Sequence, residues 1–232
     1  MTTKEKEIEN KLKELKNYFI EIELDFNGNE NCVVGGVLEN RYLFKELVEI
    51  IENNSEINKP NLFLDYIRIN YINTIIIAIL RQVDKNSGSK SLINFFYDIY
   101  NNTELIIKEH FISQYSFIEQ GNKDFEENFG NLQYIDPDIV YKDIGNLLFY
   151  TKEIKNIRNK RIAHRDKKKK LKFIVNFDVL DNAIDVMEDI FKKYYLLFQS
   201  NDDCFAGLPA GILYSGNDGI CETDIFRVPW IK

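Results

Sequence analysis

Apolar residues recur every three or four positions through most of this chain. Ile8, Leu12, Leu15, Phe19 and Ile22 step by 4, 3, 4 and 3, which predicts a surface helix burying one stripe. Residues 37–54 read as a second helix ending at Asn53 and Asn54. Pro60 opens "NLFLDYIRINYINTIIIAILRQVD", apolar nearly all round in its later half, which predicts a central buried helix. "SGSK" at 87–90 reads as a turn, and Ser89 or Ser91 can cap the helix that follows through "SLINFFYDIY". A further helix is expected over about 102–120, and a loop over 121–137, where Gly121, Gly130 and Pro137 punctuate the chain. A long helix then runs from about 138 to 162 on a stripe of Val140, Ile144, Leu147, Leu148, Ile154 and Ile157. The last helix, about 177–199, carries the clearest pattern: Leu180, Ile184, Met187, Phe191, Tyr194 and Phe198.

The pattern stops after Ser200. Residues 201–232 hold four of the eleven glycines, two of the four prolines and the only tryptophan. They read as an irregular or short-stranded extension. The fold class expected is therefore all-α: a helical domain over 1–200 with a C-terminal extension over 201–232.

Composition narrows the chemistry. Cys32, Cys204 and Cys221 are odd in number and form no C-x-x-C pair, which argues against a disulfide framework or a structural zinc site. His110 and His164 lie too far apart in sequence to suggest a metal site. Neither a metal nor a cofactor is expected, since no glycine-rich phosphate loop or metalloprotease motif appears. The N-terminal residues are charged throughout and the apolar run "TIIIAIL" at 74–80 is short. These features predict a cytoplasmic protein with no membrane partner.

The net charge is −7, yet residues 152–172 hold eleven Lys/Arg against two Asp/Glu, a local +9 that leaves −16 for the rest. Such a patch on an acidic body suits a defined anionic ligand, or is simply a solvated lysine-rich loop. Inside it lies "RNKRIAHRDKKKK", 158–170. His164 falls seven residues after Ile157, in register with the apolar stripe, so spacing alone favours a packed histidine.

The stretch "IRNKRIAHRD" resembles the signature of the HEPN superfamily, an arginine followed by a polar residue and, four to six residues on, a histidine. Arg158, Asn159 and His164 occupy those positions, near the end of a long helix and before one last amphipathic helix. The segment "NKPNLFLDYIRINYINTIIIAILRQVDKNSGSKSLINFF" is similar to the mid-region of AbiU-type HEPN proteins. There an Arg and an Asp end a buried helix, here Arg81 and Asp84, before a polar loop and an "SL" helix start at 91–92. The resemblance spans roughly 35–200, with the N-terminal helix fitting loosely.

The resemblance implies a HEPN-type helical bundle acting as a metal-independent endoribonuclease in a toxin–antitoxin or phage-defence (abortive infection) context. It also implies a homodimer with a composite cleft, RNA as ligand, and an antitoxin or defence-system partner. A non-catalytic HEPN module that binds RNA, a nucleotide or a protein is the alternative. The residue chemistry agrees with cleavage: a histidine can serve as base or acid, and an arginine can hold a phosphate bidentately as charge builds. The catalytic set is then Arg158 and His164 with Asn159 assisting. Lys160, Arg161, Arg165, Lys167 and Lys168 are candidates for phosphate contact. Arg81 and Asp84 line the cleft or form an i,i+3 ion pair on their own helix end. Some HEPN toxins carry a modifiable tyrosine two residues after the histidine; here that position is Asp166.

The extension carries Phe205, Ile225 and Trp230, and should pack over the helical core or a dimer neighbour. Brief proteolysis that removes 201–232 is expected to reduce helicity or dimerisation; circular dichroism and sedimentation unchanged by that cut would contradict this packing.

Overall fold

The computed structural model describes residues 3–28, 36–59, 62–159 and 176–198, and these form eight α-helices with one 3-10 turn. The helices are α1 (Thr3–Asn27), α2 (Val37–Glu52), α3 (Leu62–Gln82), α4 (Leu92–Tyr100), α5 (Lys108–Ile112), α6 (Ile118–Phe129), α7 (Pro137–Arg158) and α8 (Phe177–Phe198). No strand appears among the described residues; the one β-type pairing is an isolated bridge between Ile107 and Tyr134. The all-α expectation holds for these residues, while the extension 201–232 lies outside them.

Periodicity places the long helices well, and the short ones less so. The single helix expected over about 102–120 is instead a 3-10 turn at Thr103–Leu105 and the five-residue α5, followed after a turn by α6. The stretch 121–137, expected as a loop, is helical to Phe129. Its apolar positions, Phe125 and Phe129, are four apart and fully buried, so two large rings secure a helix that a polar sequence barely advertises. Gly130 ends α6 at φ +92°, a backbone conformation open to glycine.

The chain divides into two compact units, with boundaries inside α1 after Glu23 and inside α3 after Ala78. In the larger unit the core is aromatic. Phe19 of α1 stacks on Phe191 and Phe198 of α8, with centroids 4.9 and 5.3 Å apart. Tyr18 exchanges hydrogen bonds with the backbone of Ser91, and Lys11 pairs with Asp98 at 3.1 Å, so α1 is tied to α4 by polar as well as apolar contacts. Ser91, one of the two caps anticipated, does cap α4: its hydroxyl accepts from the Asn94 amide at 3.3 Å.

The second unit contains the end of α1, all of α2 and most of α3. Gly28, at φ +108°, and Gly36 bring the end of α1 and the start of α2 into backbone contact; a Cβ on Gly36 would collide with the Gly28 backbone nitrogen. Phe44 and Tyr71 stack in parallel with centroids 3.8 Å apart. An 18-residue window of α3 has a mean hydropathy of 1.4, so by length and composition this helix could cross a membrane. A mostly buried core helix passes the same test, but only 33% of this window is buried. Tyr71, Ile72, Ile75, Ile76 and Ile79 are covered, whereas Leu62, Phe63, Tyr66 and Ile69 are exposed. The helix expected to be centrally buried is thus covered on one side of its later half only.

α7 and α8 pack against each other and are joined by a buried polar knot. Asp143, 7% exposed, accepts from Lys193 Nζ at 2.6 Å and from Tyr194 Oη at 3.0 Å. Burial pulls the Lys193 ammonium below its ordinary range, and burial first, then Asp143, pushes the Tyr194 hydroxyl well above 10. Asp143→Ala should therefore cost about 3 kcal/mol, because it strands a buried cation and a buried hydroxyl. A melting point lower by about 6–12 °C is expected for a chain of this size. The triple change Asp143→Leu, Lys193→Met, Tyr194→Phe should recover most of that loss in a thermal melt.

Candidate functional site at the end of α7

Helix α7 starts cleanly. The Asp136 side chain accepts from the Asp138 amide at 2.9 Å and Pro137 fills the first turn. Its buried stripe is Val140, Ile144, Leu147, Thr151, Ile154 and Ile157. Leu148, expected on that stripe, is only half-buried, and Thr151 takes a buried place by returning its hydroxyl to the Leu147 carbonyl at 2.6 Å.

Arg158 continues this stripe. It lies seven residues after Thr151, within about 20° of the same direction on a helix, and is half-buried. Its Nε is buried and has no hydrogen-bond partner among the described residues. A charged group so placed is costly unless something supplies an acceptor. Asn159, still at helical φ −61° and ψ −40°, is exposed and points about 100° away. The arginine and its polar neighbour therefore address different sides of the helix end.

The α3–α4 loop is close enough to this end for the Lys155 charge to act on Asp84. Asp84 accepts from the Ser89 hydroxyl at 2.7 Å and the Asn86 amide at 3.1 Å. Ser91 Oγ donates to the Asp84 carbonyl at 2.7 Å, and Asn94 Nδ2 donates to the carbonyls of Asn86 and Ser89. The Asp84 carboxyl sits below its ordinary value through the Ser89 bond first, then the Asn86 amide, with the Lys155 charge adding to the shift. Lys155 is one helical turn before Arg158, so the loop and the last turn of α7 share one neighbourhood. Asp84 thus shapes this loop; Arg81, in the last turn of α3, is exposed.

His164 and the candidate phosphate-contacting residues Lys160, Arg161, Arg165, Lys167 and Lys168 lie outside the described residues. That segment begins after Asn159 and ends before Asn176, so it joins the end of α7 to the start of α8.

A feature missed from the sequence is a groove of about 670 Å³ flanking the same helix pair. Ile157 and Val179 give it apolar lining, and Phe149, Tyr150, Asn156 and Asn182 are among its walls. Phe149 is 73% exposed. The available signal was an adjacent aromatic pair, Phe149–Tyr150, interrupting the polar face of an otherwise amphipathic helix.

A helical bundle with an Arg-Asn pair closing its penultimate long helix, and a basic link to the final one, is the HEPN pattern. The chain belongs to the HEPN family described as AbiU2: the HEPN_AbiU2 family model matches residues 5–207. It is thus an abortive-infection-associated HEPN protein, and the match includes the N-terminal helix, where the sequence resemblance was loose. No curated protein and no solved structure matches significantly.

Ser89→Ala should move the Asp84 titration upward, toward the ordinary aspartate value of 3.8. A depressed folded-state value adds stability above the unfolded value and loses it as pH falls through the folded one. The variant should lose part of that contribution, and a carboxyl-carbon NMR titration of Asp84 reads the shift directly.

Proposed function

We propose that this protein is a metal-independent endoribonuclease whose cleavage centre is Arg158 and His164, with Asn159 assisting. The observation that carries this reading is the Arg158 guanidinium: at the motif position of an AbiU2-family chain, half-buried, with an Nε that no described residue satisfies. A phosphate oxygen supplies the missing acceptor, in the charge-assisted geometry that arginine favours.

In the proposed reaction a base removes the proton from a ribose 2′-hydroxyl, whose oxygen attacks the adjacent phosphorus. The P–O5′ bond breaks and an acid protonates the departing 5′-oxygen. The products are a 2′,3′-cyclic phosphate and a 5′-hydroxyl, with no other reactant consumed. Arg158 holds the phosphate as negative charge gathers on its non-bridging oxygens. One imidazole cannot act as base and acid at the same instant. Two copies of His164 across a homodimer cleft resolve this, one per role. The basic residues Lys160, Arg161, Arg165, Lys167 and Lys168 then contact flanking phosphates and make binding salt-dependent.

The test is total bacterial RNA incubated with purified protein in EDTA, resolved on a gel and sequenced at its ends. Wild type should yield fragments with 2′,3′-cyclic phosphate and 5′-hydroxyl ends. His164→Ala should lower the rate by about 10²–10⁴-fold, and Arg158→Ala by about 10²–10³-fold. Cleavage that His164→Ala leaves intact would refute the catalytic assignment, whereas RNA bound but uncut by wild type would favour a binding module.

A further inference from the structure

We propose that the groove along α7 and α8 is a pocket for one unstacked guanine base of single-stranded RNA, flanking the phosphate at Arg158; this rests on the RNA-cleaving reading above. The observation behind it is the combination of side chains around one concavity of about 670 Å³, a volume within the range of small-ligand sites. Phe149 and Tyr150 meet edge-to-face at 5.2 Å and 82°, and Phe149 is 73% exposed. Single-stranded RNA is recognised by stacking splayed bases on such rings and reading their Watson–Crick edges with polar groups.

The polar walls select among bases. Lys152, Glu153, Asn156 and Asn182 all line the groove, and all four are exposed, so their polar groups are accessible to a ligand. A carboxylate in a basic neighbourhood repels phosphate, so Glu153 calls for a ligand with N–H donors. Guanine alone among the four bases offers two adjacent donors, N1–H and N2–H, to one carboxylate, while its O6 accepts from an ammonium or an amide. Lys152 and the two asparagines supply those donors. The groove residues Phe149, Glu153 and Asn156 lie about 140–180° round the helix from Arg158. Adding the rise of about 1.5 Å per residue to a helix width places them about 10–17 Å from it, so the base held lies about one to three nucleotides from the scissile phosphate.

A second copy of this chain fits the groove less well. The centre of a protein interface is depleted in charged residues, and here a lysine and a glutamate line the cavity with two amides.

The experiment uses the full chain carrying His164→Ala, so that bound RNA is not consumed, and fluorescent pentauridylates with guanine, adenine or cytosine at the central position. Binding is read by anisotropy and oligomeric state by sedimentation. The guanine oligonucleotide should bind about tenfold more tightly than the others. Adding Glu153→Gln should abolish that preference, and adding Phe149→Ala should weaken all binding about tenfold, with unchanged circular dichroism and sedimentation. Equal binding of all bases, or a guanine preference that survives both substitutions while wild type still cleaves RNA, overturns the pocket but leaves the nuclease reading standing. A mass change with Phe149→Ala identifies the face as an interface between copies and overturns it too. No binding of any oligonucleotide, together with no cleavage by wild type, removes the nuclease reading and the pocket with it.

Discussion

The position of the candidate site depends on one buried carboxylate. Asp143 on α7 receives the Lys193 ammonium and the Tyr194 hydroxyl of α8 through the same oxygen, and Lys193 also lies over the rings of Phe129 and Tyr194 at 5.6 and 5.3 Å. Three polar groups that would each be costly to bury alone satisfy one another inside an aromatic cage. A purely apolar seam between α7 and α8 could slide by a turn at modest cost. A hydrogen-bonded ion pair cannot, because a slip leaves a buried charge unpaired.

That register has a consequence at the other end of the helix pair. Asp143 lies in the second turn of α7 and Lys193 near the end of α8, so the two helices run antiparallel. The end of α7 then meets the start of α8, as the shared lining of the groove by Ile157 and Val179 also shows. Arg158 is fifteen residues beyond Asp143, about 22 Å along the helix. The polar lock and the candidate site thus occupy opposite ends of the α7–α8 pair, and the basic segment follows α7 in sequence at the end that holds Arg158. Apolar packing of Leu147, Ile154 and Ile157 spans the length between them. A site built on such an element can hold geometry that a loop could not.

Much of the fold was legible from spacing. The stripes of α1, α7 and α8 match the buried residues closely, because a helix that buries one face must repeat its apolar residues near every 3.6 positions. Where spacing failed, the reasons are physical. Helix α6 is held by Phe125 and Phe129 inserting among Phe111 and Tyr194, contacts that join residues far apart in the chain. Thr151 replaced Leu148 on the buried stripe because its hydroxyl can be satisfied within its own helix. The family was legible from short motifs, and the family match over 5–207 extends it to the first helix.

The sequence by itself determined the all-α class of the described residues, the order of the long helices, the basic segment between α7 and α8, and the HEPN family. Each is written in local periodicity, local charge or a contiguous motif. Only the tertiary structure decided that Arg158 continues a buried stripe with an unsatisfied Nε, that Asp84 spends its carboxylate on its own loop beside Lys155, and that Phe149 and Asn182 border one groove. Those facts depend on how faces of separate helices meet, and helix–helix register is set by packing and by pairings such as Asp143 with Lys193, which no local window of sequence contains.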